Sequence, residues 1–150
     1  MPGCPPEPDR ILLTVSLTTA EIERAQDVLA GFLESRGVTP PVRYRVRLVI
    51  EELLTNLVMH GRFAGPPPPG RVAATLVTDG VRLVIEDAAA PFDPRATPDP
   101  AGPPRLEEDA VGGLGLPLVR RMAQILAYDR AEDGWNRTEV MVAGNAGVPS

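Results

Sequence analysis

Three short segments of this 150-residue chain carry residue types whose spacing suits chemistry. In the first, Glu52, Asn56 and His60 stand at i, i+4 and i+8, so in a helix all three project from nearly one face. A carboxylate one turn before a carboxamide suits a magnesium-nucleotide site, where the carboxamide oxygen ligates a hard cation and the carboxylate accepts a proton from an attacking hydroxyl. A Glu and an Asn on a solvated helix face have the same spacing, so the motif alone leaves both readings open. Glu51 points about 100° away and is expected on the outer surface. In the second segment, Ile85-Glu86-Asp87-Ala88-Ala89-Ala90-Pro91-Phe92-Asp93, an apolar strand ends abruptly on an acid followed by small residues. A carboxylate there can accept a hydrogen bond from an exocyclic amine such as that of adenine. An Asp that ends a strand and bonds its own turn is the alternative. In the third, Gly112-Gly113-Leu114-Gly115-Leu116-Pro117 precedes a helical stretch, so bare amides converge at a helix N-terminus, where phosphate oxygens bind without lysine. A flexible connection is again the alternative, and Pro117 in the first turn is tolerated.

Composition narrows the classes of function. The length makes one domain, enough to bury a core but too little for two ordinary ones. A net charge of −5 argues against a nucleic-acid partner held by phosphate neutralisation. All 15 basic residues are Arg, which excludes a P-loop lysine, a Schiff base and a Ser-Lys dyad. A lone Cys4 offers no disulfide or zinc site, and a single His60 excludes a multi-His metal centre. No basic-then-apolar leader opens the chain and no apolar run approaches a membrane span, so the protein is expected in the cytoplasm.

The elements that must position the three segments lie between the prolines. Of 18 prolines, 17 cluster at residues 2–8, 40–41, 66–69 and 91–104 or stand at 149, and these mark loops. Ile11 to Leu17 is a short alternating run that reads as a strand, and Thr18 with Glu21 forms a capping box that opens a helix. Ile22, Ala25, Leu29, Phe32 and Leu33 follow its 3.6-residue period, and Gly37 supplies a left-handed stop. A second helix is expected from about Val42 to His60, buried along Val46, Val49, Ile50, Leu53, Leu57 and Val58 and ended by Gly61. Arg71 to Val77 and Val81 to Glu86 make a hairpin about Asp79-Gly80. A third helix is expected over about Leu116 to Leu126, then strands at Ala127–Arg130 and Thr138–Val142 about Asp133-Gly134. The order β-α-α-β-β-(long loop)-α-β-β predicts an α+β two-layer sandwich, a mixed, mainly antiparallel sheet covered by helices on one face. Residues 1–9 are expected as a disordered Pro-rich N-terminus, 10–143 as the domain, and 144–150 as a flexible C-terminus.

Taken in this order, the three segments resemble the N box, first glycine box and second glycine box of the Bergerat ATPases shared by gyrase, MutL and sensor histidine kinases. Glu52-Leu-Leu-Thr-Asn56 looks like the N box, Asp87-Ala-Ala-Ala-Pro-Phe-Asp93 like the first glycine box, and Gly113-Leu-Gly115-Leu like the second. With its small size and the ending Gly134-Trp-Asn-Arg-Thr-Glu-Val-Met-Val, the chain most resembles the RsbW/SpoIIAB-type anti-sigma factor serine/threonine kinases over about residues 10–143.

That resemblance implies ATP and magnesium as cofactors. It implies Asn56 as the magnesium ligand, Glu52 as the base that activates the attacking hydroxyl, and Asp87 as the reader of adenine. The nucleotide-binding set would include Asn56, Asp87, Ala89, Pro91, Gly112, Gly113, Leu114, Gly115, Leu116 and Thr138, with residues 93–111 as a lid. The implied partners are a sigma factor, a STAS-domain anti-anti-sigma protein that is phosphorylated, and a second copy of the chain, with neither nucleic acid nor membrane. Arg24 on the first helix would face a partner, although a solvated arginine has the same pattern. Two departures stand out: Ala89 replaces the usual middle glycine of the first box, and Val111 stands where some such kinases place an arginine, with Arg105 as a substitute if the loop folds inward. A non-catalytic nucleotide-binding interaction module is the alternative. A complete sensor histidine kinase would need a further helix pair with a phosphoacceptor His.

Overall fold

The structure, a computed structural model, describes residues 9–90, 115–131 and 133–144. The N-terminal stretch 1–8, the expected lid and residues 145–150 lie outside the described residues. The elements run β1 (Arg10–Val15), α1 (Thr19–Ser35), α2 (Pro40–His60), β2 (Gly70–Val77), β3 (Gly80–Asp87), α3 (Gly115–Met122), β4 (Gln124–Arg130) and β5 (Asn136–Ala143). The strands form one five-stranded sheet in the order β1-β2-β3-β5-β4. Every neighbouring pair is antiparallel. The α+β sandwich expected from the element order is therefore present, with a fully antiparallel sheet.

Alternation decides which side chains reach the core. The ladders align Ile11, Ala74, Leu83 and Val140 in one row and Leu13, Val72, Ile85 and Thr138 in the next, all on the face that the helices cover. From the helices, Ile22, Ala25, Leu29 and Leu33 of α1, Val46, Val49, Ile50 and Leu54 of α2, and Val119 of α3 close over them. Each fully buried Leu, Ile or Val contributes about 1.5–3 kcal/mol. The opposite face carries cross-strand ion pairs, Arg71–Glu86 at 3.6 Å and Arg82–Glu139 at 3.2 Å, with Leu12 exposed on the edge strand β1.

Local chemistry explains the ends of the elements and corrects several expectations. Thr18 caps α1 by accepting from the Glu21 N–H at 3.2 Å, but the Glu21 carboxylate turns to Arg24 instead of completing the box. Gly37, at φ 77°, supplies the left-handed stop. Helix α2 starts at Pro40, two residues before the expected Val42, because prolines in the first turn lose no helical hydrogen bond. Its buried stripe includes Leu54, whereas Val58 is 41% exposed, since the last turn runs past the core. The hairpin turn is Thr78-Asp79, and Gly80 already pairs with Val77. A β-carbon on Gly80 would strike the Val142 carbonyl oxygen. Helix α3 ends at Met122 instead of near Leu126, because Gln124 and Ile125 pair with Met141 and Val140 of β5. A register shift between Ile125 and Ala127 carries β4 on to Tyr128 opposite Thr138.

Candidate functional site

The site is built where β3 and β5 run out from under the helices. Asp87 is the last residue of β3, in phase with the buried Val81, Leu83 and Ile85, so its side chain points into the helical face and is only 6% exposed. Opposite it in the ladder stands Asn136, 2% exposed, and opposite Asn136 on the other side stands Arg130 of β4. One row inward lie Thr138, buried, and Tyr128. The Asp87 Oδ1 accepts from the Ala89 N–H at 3.0 Å and from Asn136 Nδ2 at 2.9 Å. Burial raises the Asp87 carboxyl above the ordinary range, against the opposing pull of Asn136, the Ala89 N–H and the Arg130 charge.

Ala89 is buried at 4% exposure and holds the turn after β3 through its N–H and through its carbonyl, which accepts from Asn136 Nδ2 at 2.8 Å. No described residue other than glycine has a positive φ, so an alanine satisfies this turn where a glycine was the expected residue. The next residue ties the turn to the helix layer: the Ala90 N–H donates to the Arg62 carbonyl, two residues past the end of α2, at 2.7 Å. This bond sets the C-terminal end of α2 beside the end of β3, and α2 in turn packs along α3.

On α2, Glu52 and Asn56 are half-buried one turn apart, His60 is exposed, and Glu51 is exposed on a different face, as the helical spacing requires. Burial, and then the neighbouring Glu51 charge, raises the Glu52 carboxyl above the ordinary Glu value. A carboxyl so placed holds its proton more tightly than a solvated one, which suits a proton acceptor. Gly115 and Leu116 are the first two residues of α3. Pro91, Gly112, Gly113 and Leu114 lie outside the described residues, as do Arg105 and Val111. Arg24 is engaged within the chain itself: its Nε donates to Glu21 Oε2 at 2.8 Å and its Nη2 to the Thr14 carbonyl at 3.1 Å, fastening the start of α1 to β1.

The fold and the order of these features agree with a family match, since residues 15–142 match the histidine kinase-like ATPase domain. The chain belongs to the histidine kinase-like ATPase family. This is the family named by the order of the three boxes. The chain is 33% identical over 95 residues to the serine/threonine-protein kinase BtrW of Bordetella bronchiseptica, a match that covers 63% of this chain and 66% of that protein. Its fold is similar to the crystal structure of the RsbU and RsbW domains of Rv1364c from Mycobacterium tuberculosis, with a TM-score of 0.60 and 18% identity over 93% of this chain. The present chain spans 34% of that one, and at this identity the likeness is one of fold. Among the described residues of this ATPase domain, no helix is long and apolar enough to cross a membrane.

Sequence reasoning singled out Asp87, and the structure sets it in a hydrogen-bonded cluster with Asn136, Tyr128 and Arg130, which sequence reasoning did not name. The signal was available for Asn136: Asn136, Thr138, Val140 and Val142 alternate in one phase, so a polar residue in step with two core valines had to point inward.

Proposed function

We propose that this protein is a serine/threonine protein kinase of the anti-sigma type, which binds Mg-ATP, sequesters a sigma factor and phosphorylates a STAS-domain anti-anti-sigma partner. The observation that carries the reading is the buried Asp87 carboxylate, held by donors on Oδ1 at the mouth of the sheet, with the end of the Glu52–Asn56 helix tied beside it by the Ala90–Arg62 bond. The kinship with BtrW, which is named a serine/threonine-protein kinase, supports the chemistry.

In this reading residues 10–143 are the ATPase domain and residues 93–111 its lid. Asp87 accepts from the adenine amine, with Thr138, Ala89 and Pro91 around the base. The amides of Gly112, Gly113 and Gly115, with Leu114 and Leu116 between and after them, hold the phosphates in place of a lysine. Glu52 takes the proton from the partner's hydroxyl as its oxygen attacks the terminal phosphorus, and ADP leaves. Asn56 and Glu52 offer hard oxygen donors, and no group of three or more His, Cys, Asp or Glu side chains surrounds a cation site among the described residues. The donor set fits magnesium, which Asn56 would hold through its carboxamide oxygen. When bound, the ion would neutralise charge on the phosphates. The added phosphate places about two negative charges on the STAS partner and breaks its complex. A second copy of the chain and the sigma factor meet the α1 side, where Arg24 remains 46% exposed.

Incubation with Mg-ATP and a STAS partner, followed by mass spectrometry of the partner, tests the reading. Phosphoserine or phosphothreonine supports it, and an unmodified partner with ATP bound makes the protein a nucleotide-binding interaction module.

A further inference from the structure

Asn136 has a complete set of hydrogen bonds. A carboxamide has two N–H donors and two acceptor positions on its oxygen. In Asn136 the donors go to Asp87 Oδ1 at 2.9 Å and the Ala89 carbonyl at 2.8 Å. Its oxygen accepts from the Tyr128 hydroxyl at 2.8 Å and from Arg130 Nη1 at 3.4 Å. Both donor targets are pure acceptors and both oxygen partners are donors, so the amide has one orientation. With nothing left over for a ligand, Asn136 acts only through what it holds.

It holds one oxygen of Asp87. With Asn136 Nδ2 and the Ala89 N–H both on Oδ1, that oxygen is saturated, and among the described residues Oδ2 accepts no hydrogen bond. The carboxylate therefore cannot turn without breaking two hydrogen bonds, and its free acceptor has one direction. The clamp spans three strands, because Asp87, Asn136 and Arg130 lie in one row across β3, β5 and β4.

We propose that Asn136, braced by Tyr128 and Arg130, is a positioning residue that fixes which oxygen of Asp87 meets the ligand, and so sets the preference for a base with an exocyclic amine over one with a carbonyl at that position. The proposal rests on the reading of Asp87 as the base reader. A pocket that presents only an acceptor meets the amine of ATP with a hydrogen bond and the 6-carbonyl of inosine triphosphate with two facing acceptors.

The test is titration calorimetry of Mg-ATP and Mg-ITP against the full chain, Asn136→Ala and Tyr128→Phe, with folding checked by circular dichroism. The unmodified protein should prefer ATP by roughly a hundredfold. Asn136→Ala should reduce that ratio about tenfold or more, and Tyr128→Phe should reduce it less, because Arg130 still holds the Asn136 oxygen. A residue needed only for the fold would weaken both nucleotides together and leave the ratio unchanged. An unchanged ratio in a folded Asn136→Ala protein overturns the proposal. If that variant does not fold, Tyr128→Phe decides, a reduced ratio supporting the clamp and an unchanged one overturning it. Equal binding of ATP and ITP by the unmodified protein is a different result, which removes Asp87 as the base reader and this inference with it.

Discussion

Replacing Asp87 by Asn should separate binding from folding. In the protein Oδ1 accepts from Ala89 and Asn136, and the carbonyl oxygen of the introduced carboxamide can take both of those bonds unchanged. The altered atom is the other one: Oδ2 becomes an NH2 group and points donors at an amine that is itself a donor. Binding then loses a charge-assisted hydrogen bond, about 1.5–3 kcal/mol, and leaves a donor without a partner, about 1–3 kcal/mol more. At 1.4 kcal/mol per factor of ten, ATP affinity should fall roughly a hundredfold or more. Stability behaves differently, because burial raises the Asp87 carboxyl and the folded state therefore binds its proton more tightly than the unfolded chain. A raised carboxyl contributes stability that is full below the unfolded value and is lost as pH rises through the folded one. That contribution falls away as pH rises, and the introduced carboxamide keeps both Oδ1 bonds, so at pH 7 Asp87→Asn should leave stability within about 1 kcal/mol. Toward acid the unmodified protein should gain relative to the variant. Urea unfolding at pH 7 and pH 5, beside titration calorimetry with Mg-ATP, measures both. A loss of several kcal/mol in stability at pH 7, or unchanged ATP affinity, would refute the reasoning.

Three further predictions follow from the helix and the expected lid. Asn56→Ala should lose magnesium-dependent ATP affinity while the fold survives, since a half-buried side chain is removed without a core cavity, and calorimetry with and without magnesium checks this. Glu51→Gln removes the charge that helps to raise Glu52, so the acidic limb of the kcat profile, where Glu52 must be deprotonated, should move to lower pH. An unmoved limb in the pH–rate profile would separate Glu52 from that ionisation. Residues 93–111, with five prolines and few large apolar groups, should gain protection from amide exchange when Mg-ATP is added, and protection that is the same with and without nucleotide counts against a lid.

Most of the framework was legible because the physics that built it is local. The period of Ile22, Ala25, Leu29 and Leu33 within α1, and the Thr18 cap and Gly37 stop that flank it, needed no tertiary information. The boundary between α3 and β4 was not legible: Val119, Met122 and Leu126 fit a helical spacing, and only the presence of Met141 and Val140 as pairing partners turns Gln124 and Ile125 into strand. The exposure of Val58 depends likewise on where the sheet beneath α2 stops, which the helical period does not encode. At the site, Asp87 announced itself by ending an apolar strand. Its orientation, however, is set by Asn136 from 49 residues away and by two side chains of the edge strand β4, contacts that exist only once the strand order β3-β5-β4 is made.

The most direct measurement is phosphoryl transfer to a STAS-domain partner by the unmodified protein and by Glu52→Gln, followed with labelled ATP beside calorimetry on both proteins. Glu52→Gln keeps the size of the side chain and removes the proton acceptor. Transfer by the unmodified protein, cut roughly a hundredfold or more in the variant while ATP affinity stays within a few fold, is the predicted result. Absence of transfer by the unmodified protein with ATP bound, or full transfer by Glu52→Gln, would contradict a kinase whose base is Glu52.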